Sequence, residues 1–277
     1  MNVLERIFGV ERPLIAMCHL RGLPGRPRHD VAAGVDGIVE WLARDVTTLQ
    51  EAGVHGLLFC NENDIPYQLQ VGPEAVAAMA ATIGQLRKEL RLPFGVDLLW
   101  DPRAALAVAR ATGAAFVREV FTGVYESDMG LMAPSLGDLA AFRHAIGADD
   151  VALFTNITPE FSRSVSGRSV AERARSAAFL GVDALLVSGQ MAGVSAELDD
   201  LREAKEATPQ VPVLANTGVT AENVGRILKV ADGLVVGTSL KVDGEIWNPV
   251  DPARARRLVE LVAELTEAGE ARPGDPP

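Results

Sequence analysis

Short apolar, β-prone runs alternate along this chain with longer amphipathic segments rich in alanine. The apolar runs predict eight strands, at Leu14–His19, Gly56–Cys60, Phe94–Leu98, Ala115–Val120, Val151–Thr155, Ala184–Ser188, Val213–Asn216 and Gly233–Val236. The amphipathic segments predict eight helices, at Val35–Ala52, Glu74–Leu90, Arg103–Thr112, Leu136–Ile146, Val170–Leu180, Ala196–Ala207, Ala221–Lys229 and Ala253–Leu265. Gly53, Gly113 and Gly181 stand where three of these helices should end.

The order of these elements indicates the fold. The strands are nearly continuous hydrophobic runs, which is typical of strands buried on both faces of a parallel sheet. Eight strand–helix units in 277 residues predict an α/β protein, a single (β/α)8 TIM barrel over residues 1–269. An open, doubly wound sheet is the alternative. The last residues, 270–277 (EARPGDPP), are predicted to be a disordered tail.

Composition and net charge limit which classes of binding partner and which cellular compartment we expect for this protein. The hydrophobic content of 48% allows a large core, and the net charge of −11 comes without a basic cluster. Nucleic acid polymers and anionic membrane surfaces are therefore disfavoured as partners. The sequence has no recognisable signal peptide, no segment suited to membrane insertion and two cysteines, so we expect a cytoplasmic protein.

The ends of the last two predicted strands suggest a phosphate site on the C-terminal face of the barrel. Phosphate sites of TIM barrels are often built from the loops that follow these strands. Glycine there allows backbone N–H groups to approach a phosphate oxygen closely. We therefore predict phosphate binding by Gly218, Val219, Gly237 and Thr238, with Lys241 one turn further along. The alternatives are tight turns for the glycines and a solvent-facing position for Lys241.

Ionisable residues at other strand ends are candidates for catalysis. Asp97 lies within an apolar run, where a carboxylate is costly unless it is paired or functional. Arg118 and Glu119 are adjacent in a strand, so one of them should face the barrel mouth. His19 ends the first strand and could transfer protons near neutral pH. We predict Asp97, Glu119 and His19 as catalytic residues; a structural Asp–Arg bridge and a structural histidine are the alternatives.

Further polar residues at strand ends are candidates for substrate binding. They are Glu62, Arg118, Asn156, Ser188 and Asn216. No metal site is assigned, because the histidines show no ligand spacing. An oxygen-ligand site for Mg²⁺ or Mn²⁺ made by Glu62, Asp97 and Glu119 remains an alternative. No cofactor is strongly implied.

Five stretches carry a resemblance to a known family. They are MCHLRGLPGRP, FVREVFTGVYESDMG, ALLVSGQMAG, NTGVTAENV and ADGLVVGTSLKVDGEIWNPVD. Together they resemble the BtpA/SgcQ family from about Leu14 to Asp251, as a divergent member with Thr155-Asn156 where many members have Lys-His. The resemblance implies a TIM barrel. One member is linked to photosystem I assembly, and others lie in sugar-metabolism contexts.

Three functions are compatible with these residues. The leading interpretation is a barrel enzyme that acts on a phosphorylated sugar or nucleotide-like molecule, by isomerase, lyase or glycosyl-transfer chemistry. The first alternative is a non-catalytic assembly or regulatory protein. The second is an oxidoreductase that binds FMN, since a phosphate site of this kind also holds flavin phosphate. A homo-oligomer is compatible with all three.

Overall fold

Eight parallel strands form a closed barrel in the computed structural model, which describes residues 1–270. The barrel strands are β1 (Leu14–His19), β2 (Gly56–Cys60), β3 (Phe94–Asp97), β4 (Phe116–Glu119), β7 (Ala152–Asn156), β9 (Ala184–Val187), β10 (Val213–Ala215) and β11 (Gly233–Val236). β1 pairs in parallel with both β2 and β11, which closes the sheet. The predicted TIM barrel is confirmed, and each strand end lies within one residue of its predicted position.

Three further strands form a small antiparallel sheet outside the barrel. They are β5 (Tyr125–Ser127), β6 (Gly130–Met132) and β8 (Ser162–Ser164), and their order is β6-β5-β8. The loops after β4 and β7 supply these strands, both on the side where the barrel strands end. The sequence pattern did not predict this sheet, because its strands are short and mostly polar.

The helices follow the predicted order, with one addition at the start. They are α1 (Val3–Phe8), α2 (Gly34–Ala52), α3 (Pro73–Leu86), α4 (Pro102–Thr112), α5 (Leu136–Ala145), α6 (Val170–Phe179), α7 (Leu198–Ala207), α8 (Val224–Ile227) and α9 (Pro252–Glu270). The predicted tail begins at Glu270, which is the last residue of α9, and its other residues, 271–277, lie outside the described residues. No helix within residues 1–270 is both long enough and apolar enough to cross a membrane.

The additional helix, α1, closes the N-terminal end of the barrel. The ring of Phe8 meets Phe116 edge to face, with 5.5 Å between ring centroids, and Phe116 stacks on Phe154 at 4.7 Å. Glycines make room for these rings: a Cβ on Gly56 would lie 2.5 Å from Phe8, and one on Gly95 would lie 2.3 Å from Phe116. The apolar interior at this end leaves the opposite end for polar residues.

Candidate functional site

A cleft of about 550 Å³ lies between the loops after β10 and β11 and the start of α9. Gly218, Val219, Gly237 and Thr238, which were predicted to bind phosphate, all line it. Within residues 1–270, the N–H groups of Gly218 and Val219 have no protein acceptor. Thr238 begins a short 3-10 turn (Thr238–Leu240), and the first N–H groups of such a turn have no partner inside it. The cleft therefore offers several backbone donors.

Gly218 is held in a conformation that requires glycine. Its φ is +61°, and a Cβ at this position would lie 2.1 Å from the backbone nitrogen of Ser195. The Asn223 side-chain amide donates to the Gly218 carbonyl at 2.8 Å, and the Ser239 hydroxyl donates to the Val219 carbonyl at 2.6 Å. The first contact braces the loop after β10, and the second ties that loop to the segment after β11.

Two arginines that sequence reasoning missed also line the cleft. Arg254 and Arg257 lie near the start of α9, and both side chains are exposed. Glu222 lines the cleft as well; a hydrogen bond with Thr220 lowers its pKa, and the charges of the two arginines add to this effect. In the sequence the arginines look like the solvated face of a helix. Only the barrel geometry shows that this face borders the cleft.

Lys241 does not reach the cleft, and its predicted role in phosphate binding is corrected here. Its side chain is fully buried, and its Nζ lies 2.6 Å from Oδ2 of Asp45 in α2. The residue leaves the 3-10 turn in an extended conformation, which directs the ammonium toward the helix layer. Lys241 is therefore a structural residue, and neither of the alternatives considered from sequence, phosphate or solvent, describes its position.

A smaller cavity of about 50 Å³ adjoins the cleft at the centre of the barrel mouth. Gly193, Gly218, Gly237 and Thr238 line both spaces. The polar residues around the cavity include His19, Glu62, Arg118 and Asn216, all of them predicted, together with Glu160. One wall is aromatic and is made by Tyr67, Trp100 and Phe161. A ligand bound in the cleft could thus extend directly into a buried polar site.

Glu160 connects the predicted substrate-binding residues into one network. Arg118 Nη2 donates to Glu160 Oε1 at 2.7 Å, and Asn216 donates to the same oxygen at 3.0 Å. Asn156 donates to Glu160 Oε2 at 2.9 Å. Both asparagine amides also lie within 2.8 Å of the Ser188 hydroxyl. The network therefore brings together Arg118, Asn156, Ser188 and Asn216 around Glu160, which was not predicted; their binding of a substrate stays a prediction.

Asp97 and Glu119 lie beneath the cavity and do not line it, which corrects their predicted direct role in catalysis. Asp97 pairs with Arg118 Nη1, which is the structural bridge considered as an alternative. Burial, then the charge of Asp97, raises the pKa of Glu119 well above its ordinary value, and a hydrogen bond with Asp97 contributes. Oδ1 of Asp97 and Oε1 of Glu119 have no conventional donor within the described residues. The raised pKa favours the protonated form of Glu119, whose hydroxyl can donate to Asp97.

Burial shifts the pKa values of two titratable groups at the cavity. Burial holds the pKa of His19 well below its ordinary value, and the cations of Lys241 and Arg118 lower it further. The imidazole is therefore neutral at pH 7. Burial raises the pKa of Glu62, although the Tyr67 hydroxyl, which donates to it at 2.8 Å, opposes the shift. A neutral imidazole and a carboxyl with a raised pKa can act as base and acid.

Metal and thiolate chemistry gain no support from the geometry. Within residues 1–270, no group of three or more His, Cys, Asp or Glu side chains is placed to hold a metal ion, so the alternative site at Glu62, Asp97 and Glu119 does not form. Burial raises the pKa of the Cys60 thiol well above its ordinary value, and the charges of Asp97 and Glu62 add to this. Cys60 therefore remains a thiol, which is a poor nucleophile.

Solved structures of several TIM-barrel enzymes share the fold. (S)-3-O-geranylgeranylglyceryl phosphate synthase from Thermoplasma acidophilum, in complex with sn-glycerol-1-phosphate, matches with a TM-score of 0.60 and 16% identity, over 95% of this chain and 99% of that one. Phosphoribosyl anthranilate isomerase from Thermococcus kodakaraensis matches with a TM-score of 0.54 and 13% identity, over 91% and 98%. At these identities the likeness establishes the fold alone.

Sequence comparison gives much closer relatives. The chain is 44% identical to the sgc region protein SgcQ of Escherichia coli (strain K12), over 96% of this chain and 99% of the relative. It is 30% identical to the photosystem I biogenesis protein BtpA of Synechocystis sp. (strain PCC 6803), over 94% and 91%. The model of the BtpA family matches residues 10–264. With this match over nearly its whole length, the chain belongs to the BtpA family.

Proposed function

We propose that this protein is an enzyme that binds a phosphorylated small molecule, a sugar phosphate or a nucleotide-like compound, across the cleft and the cavity. The observation that carries the proposal is their continuity. The cleft has free backbone donors at Gly218 and Val219 and two arginines, and it opens on the cavity beside His19. A phosphate anchored at one end would place the rest of the molecule against proton-transfer groups at the other.

Each part of the site has a chemical role in this proposal. The backbone N–H groups and Arg254 and Arg257 hold the phosphate by charge-assisted hydrogen bonds. His19 and Glu62 exchange protons with the substrate. Arg118 stabilises negative charge that develops on a substrate oxygen, because it is buried beside the cavity and keeps its charge. This inventory suits an isomerase, a lyase or a glycosyl transferase.

A phosphate ligand would also agree with the names of two structural neighbours, which include phosphorylated compounds, although the shared fold alone does not require one. The FMN alternative fits less well. Its phosphate could occupy the cleft, but the space of about 50 Å³ beside His19 would have to widen before a fused three-ring system could enter it. A purely assembly-related role does not explain the buried acid–base groups at the mouth.

Isothermal titration with ribose 5-phosphate and with ribose tests the proposal. We expect binding of the phosphorylated sugar alone, weakened about tenfold or more in the Arg254→Ala/Arg257→Ala double variant. Arg256→Ala is the matched control, because Arg256 lies exposed on the same helix but does not line the cleft. Unchanged binding in the double variant would contradict the phosphate site. A thermal-shift series of phosphorylated sugars and nucleotides with no stabilising member would contradict the function.

A further inference from the structure

Four residues around the central cavity each contain a buried polar atom without a hydrogen-bond partner in the described part of the chain. These atoms are Nδ1 of His19, Nε1 of Trp100, Nε of Arg118 and Oδ1 of Asn216. An unpaired buried polar group costs about 1–3 kcal/mol, so native proteins contain few of them. The four residues line one cavity, so a molecule bound there could supply the missing partners.

The types of these atoms restrict the chemistry of that ligand. Trp100 Nε1 and Arg118 Nε can only donate. Oδ1 of Asn216 can only accept, and the orientation of its amide is set because Nδ2 donates to Glu160 and Ser188. The ligand must therefore supply acceptors and a donor within a small space. A hydroxyl group does both, whereas a carboxylate or a second phosphate would leave Asn216 unpaired.

The size of the cavity restricts the ligand further. A bound water needs about 10–15 Å³ of such space, so the cavity of about 50 Å³ holds a group of about three to five non-hydrogen atoms. A few carbon atoms of a sugar chain with their hydroxyls are of this size. A purine ring system is too large for it.

On this basis we propose that the ligand is a short polyhydroxylated phosphate ester, and that Trp100 and Asn216 recognise its hydroxyl groups. The inference rests on the proposed function and selects the sugar phosphate over the nucleotide. The phosphate occupies the cleft, and the hydroxyl-bearing carbons enter the cavity. Trp100 contributes a hydrogen-bond donor from the aromatic wall, and Asn216 contributes an acceptor from the end of β10.

Titrations of wild type and of Trp100→Phe with ribose 5-phosphate, glycerol 3-phosphate, AMP and inorganic phosphate test the inference. The variant keeps the aromatic ring but loses Nε1. We expect the variant to bind ribose 5-phosphate or glycerol 3-phosphate, whichever wild type binds more tightly, about five- to tenfold more weakly than wild type does. Inorganic phosphate should bind both proteins equally well. Trp41→Phe is the control, since Trp41 lies on α2 under the Arg21 guanidinium and does not line the cavity.

Different failures have different meanings. If inorganic phosphate binds wild type but no polyol phosphate binds more tightly, or if AMP binds most tightly, the inference is overturned and the phosphate site stands. If Trp100→Phe binds every ligand as wild type does, recognition by Trp100 is wrong. Should that variant unfold, wild type alone decides: 2-deoxyribose 5-phosphate must bind more weakly than ribose 5-phosphate. If no phosphorylated compound binds, inorganic phosphate included, the proposed function itself fails.

Discussion

Lys241 and Asp45 form a buried ion pair that joins the segment after the last barrel strand to helix α2. The Nζ–Oδ2 distance is 2.6 Å, and the two side chains are 1% and 2% exposed. The other oxygen of Asp45 accepts a hydrogen bond from the Val250 backbone at 2.8 Å. The pair thus holds in place the chain that leads from the cleft to α9.

Loss of one partner from this pair should be costly, because it leaves the other charge buried and uncompensated. We expect Lys241→Met to lower the free energy of unfolding by about 3–5 kcal/mol, measured by urea denaturation. Lys205→Met is the control: its pair with Asp232 is 36% and 27% exposed, and its loss should cost about 1 kcal/mol or less. Equal losses in the two variants would show that the burial of Lys241 has no energetic consequence.

The raised pKa of Glu119 should appear in the pH dependence of stability. Because the pKa of Glu119 is raised on folding, the folded state keeps a proton that the unfolded state loses above about pH 4.3. The free energy of unfolding of the wild type therefore falls as the pH rises above about 4.3. Glu119→Gln removes that contribution, so the variant should gain stability relative to wild type between pH 5 and pH 8 in urea denaturation. A constant difference across this range would argue against the protonated carboxyl.

His19 should give the opposite slope. Its pKa is lowered on folding. Below about pH 6.5 the unfolded state therefore binds a proton at this imidazole that the folded state does not bind. Wild type should lose stability as pH falls below this value, and His19→Gln should lose less. His144→Gln, at a position whose side chain is 82% exposed, is the control and should follow wild type. If His19→Gln also follows wild type, the imidazole is not held neutral by burial.

Gly218 offers a test of the loop geometry itself. Alanine there would need an unfavourable positive φ and would clash with the backbone at Ser195, so we expect a loss of more than about 1 kcal/mol in unfolding free energy and weaker phosphate binding. Gly84→Ala in α3 is the matched substitution, because a Cβ there meets nothing within 4 Å. That variant should be as stable as wild type or more so, with unchanged binding. If both variants lost similar amounts of unfolding free energy, the positive φ and the close contact at Gly218 would not explain the loss.

The sequence predicts the barrel well because its strands are apolar runs that differ clearly from the helices between them. It also predicts which polar residues end each strand, so His19, Arg118, Asn156 and Asn216 are found at the mouth. It does not predict Glu160, which lies four residues beyond Asn156 in a loop whose path no local pattern fixes.

The roles of other residues were missed because their surroundings depend on how each helix or turn is oriented in the fold. The spacing of residues along the sequence does not fix that orientation. Arg254 and Arg257 belong to a charged helix face, and only the position of α9 beside the cleft separates them from Arg256. Lys241 leaves a 3-10 turn whose direction the sequence does not define. Asp97 and Glu119 were recognised as unusual, but their depth below the cavity depends on how the strands are staggered.

Helix α1 leaves the barrel with access from one end. With Phe8 filling the space beside Gly56, the described part of the chain leaves the interior open at the polar end only. Under the proposed function, a product formed beside Arg118 would have to leave by the same polar end at which its precursor entered. A phosphate held at Gly218 and Arg254 would then have to be released before the part of the product in the cavity could leave. Turnover in such a site would be set by how tightly the anion is held, as much as by proton transfer at His19.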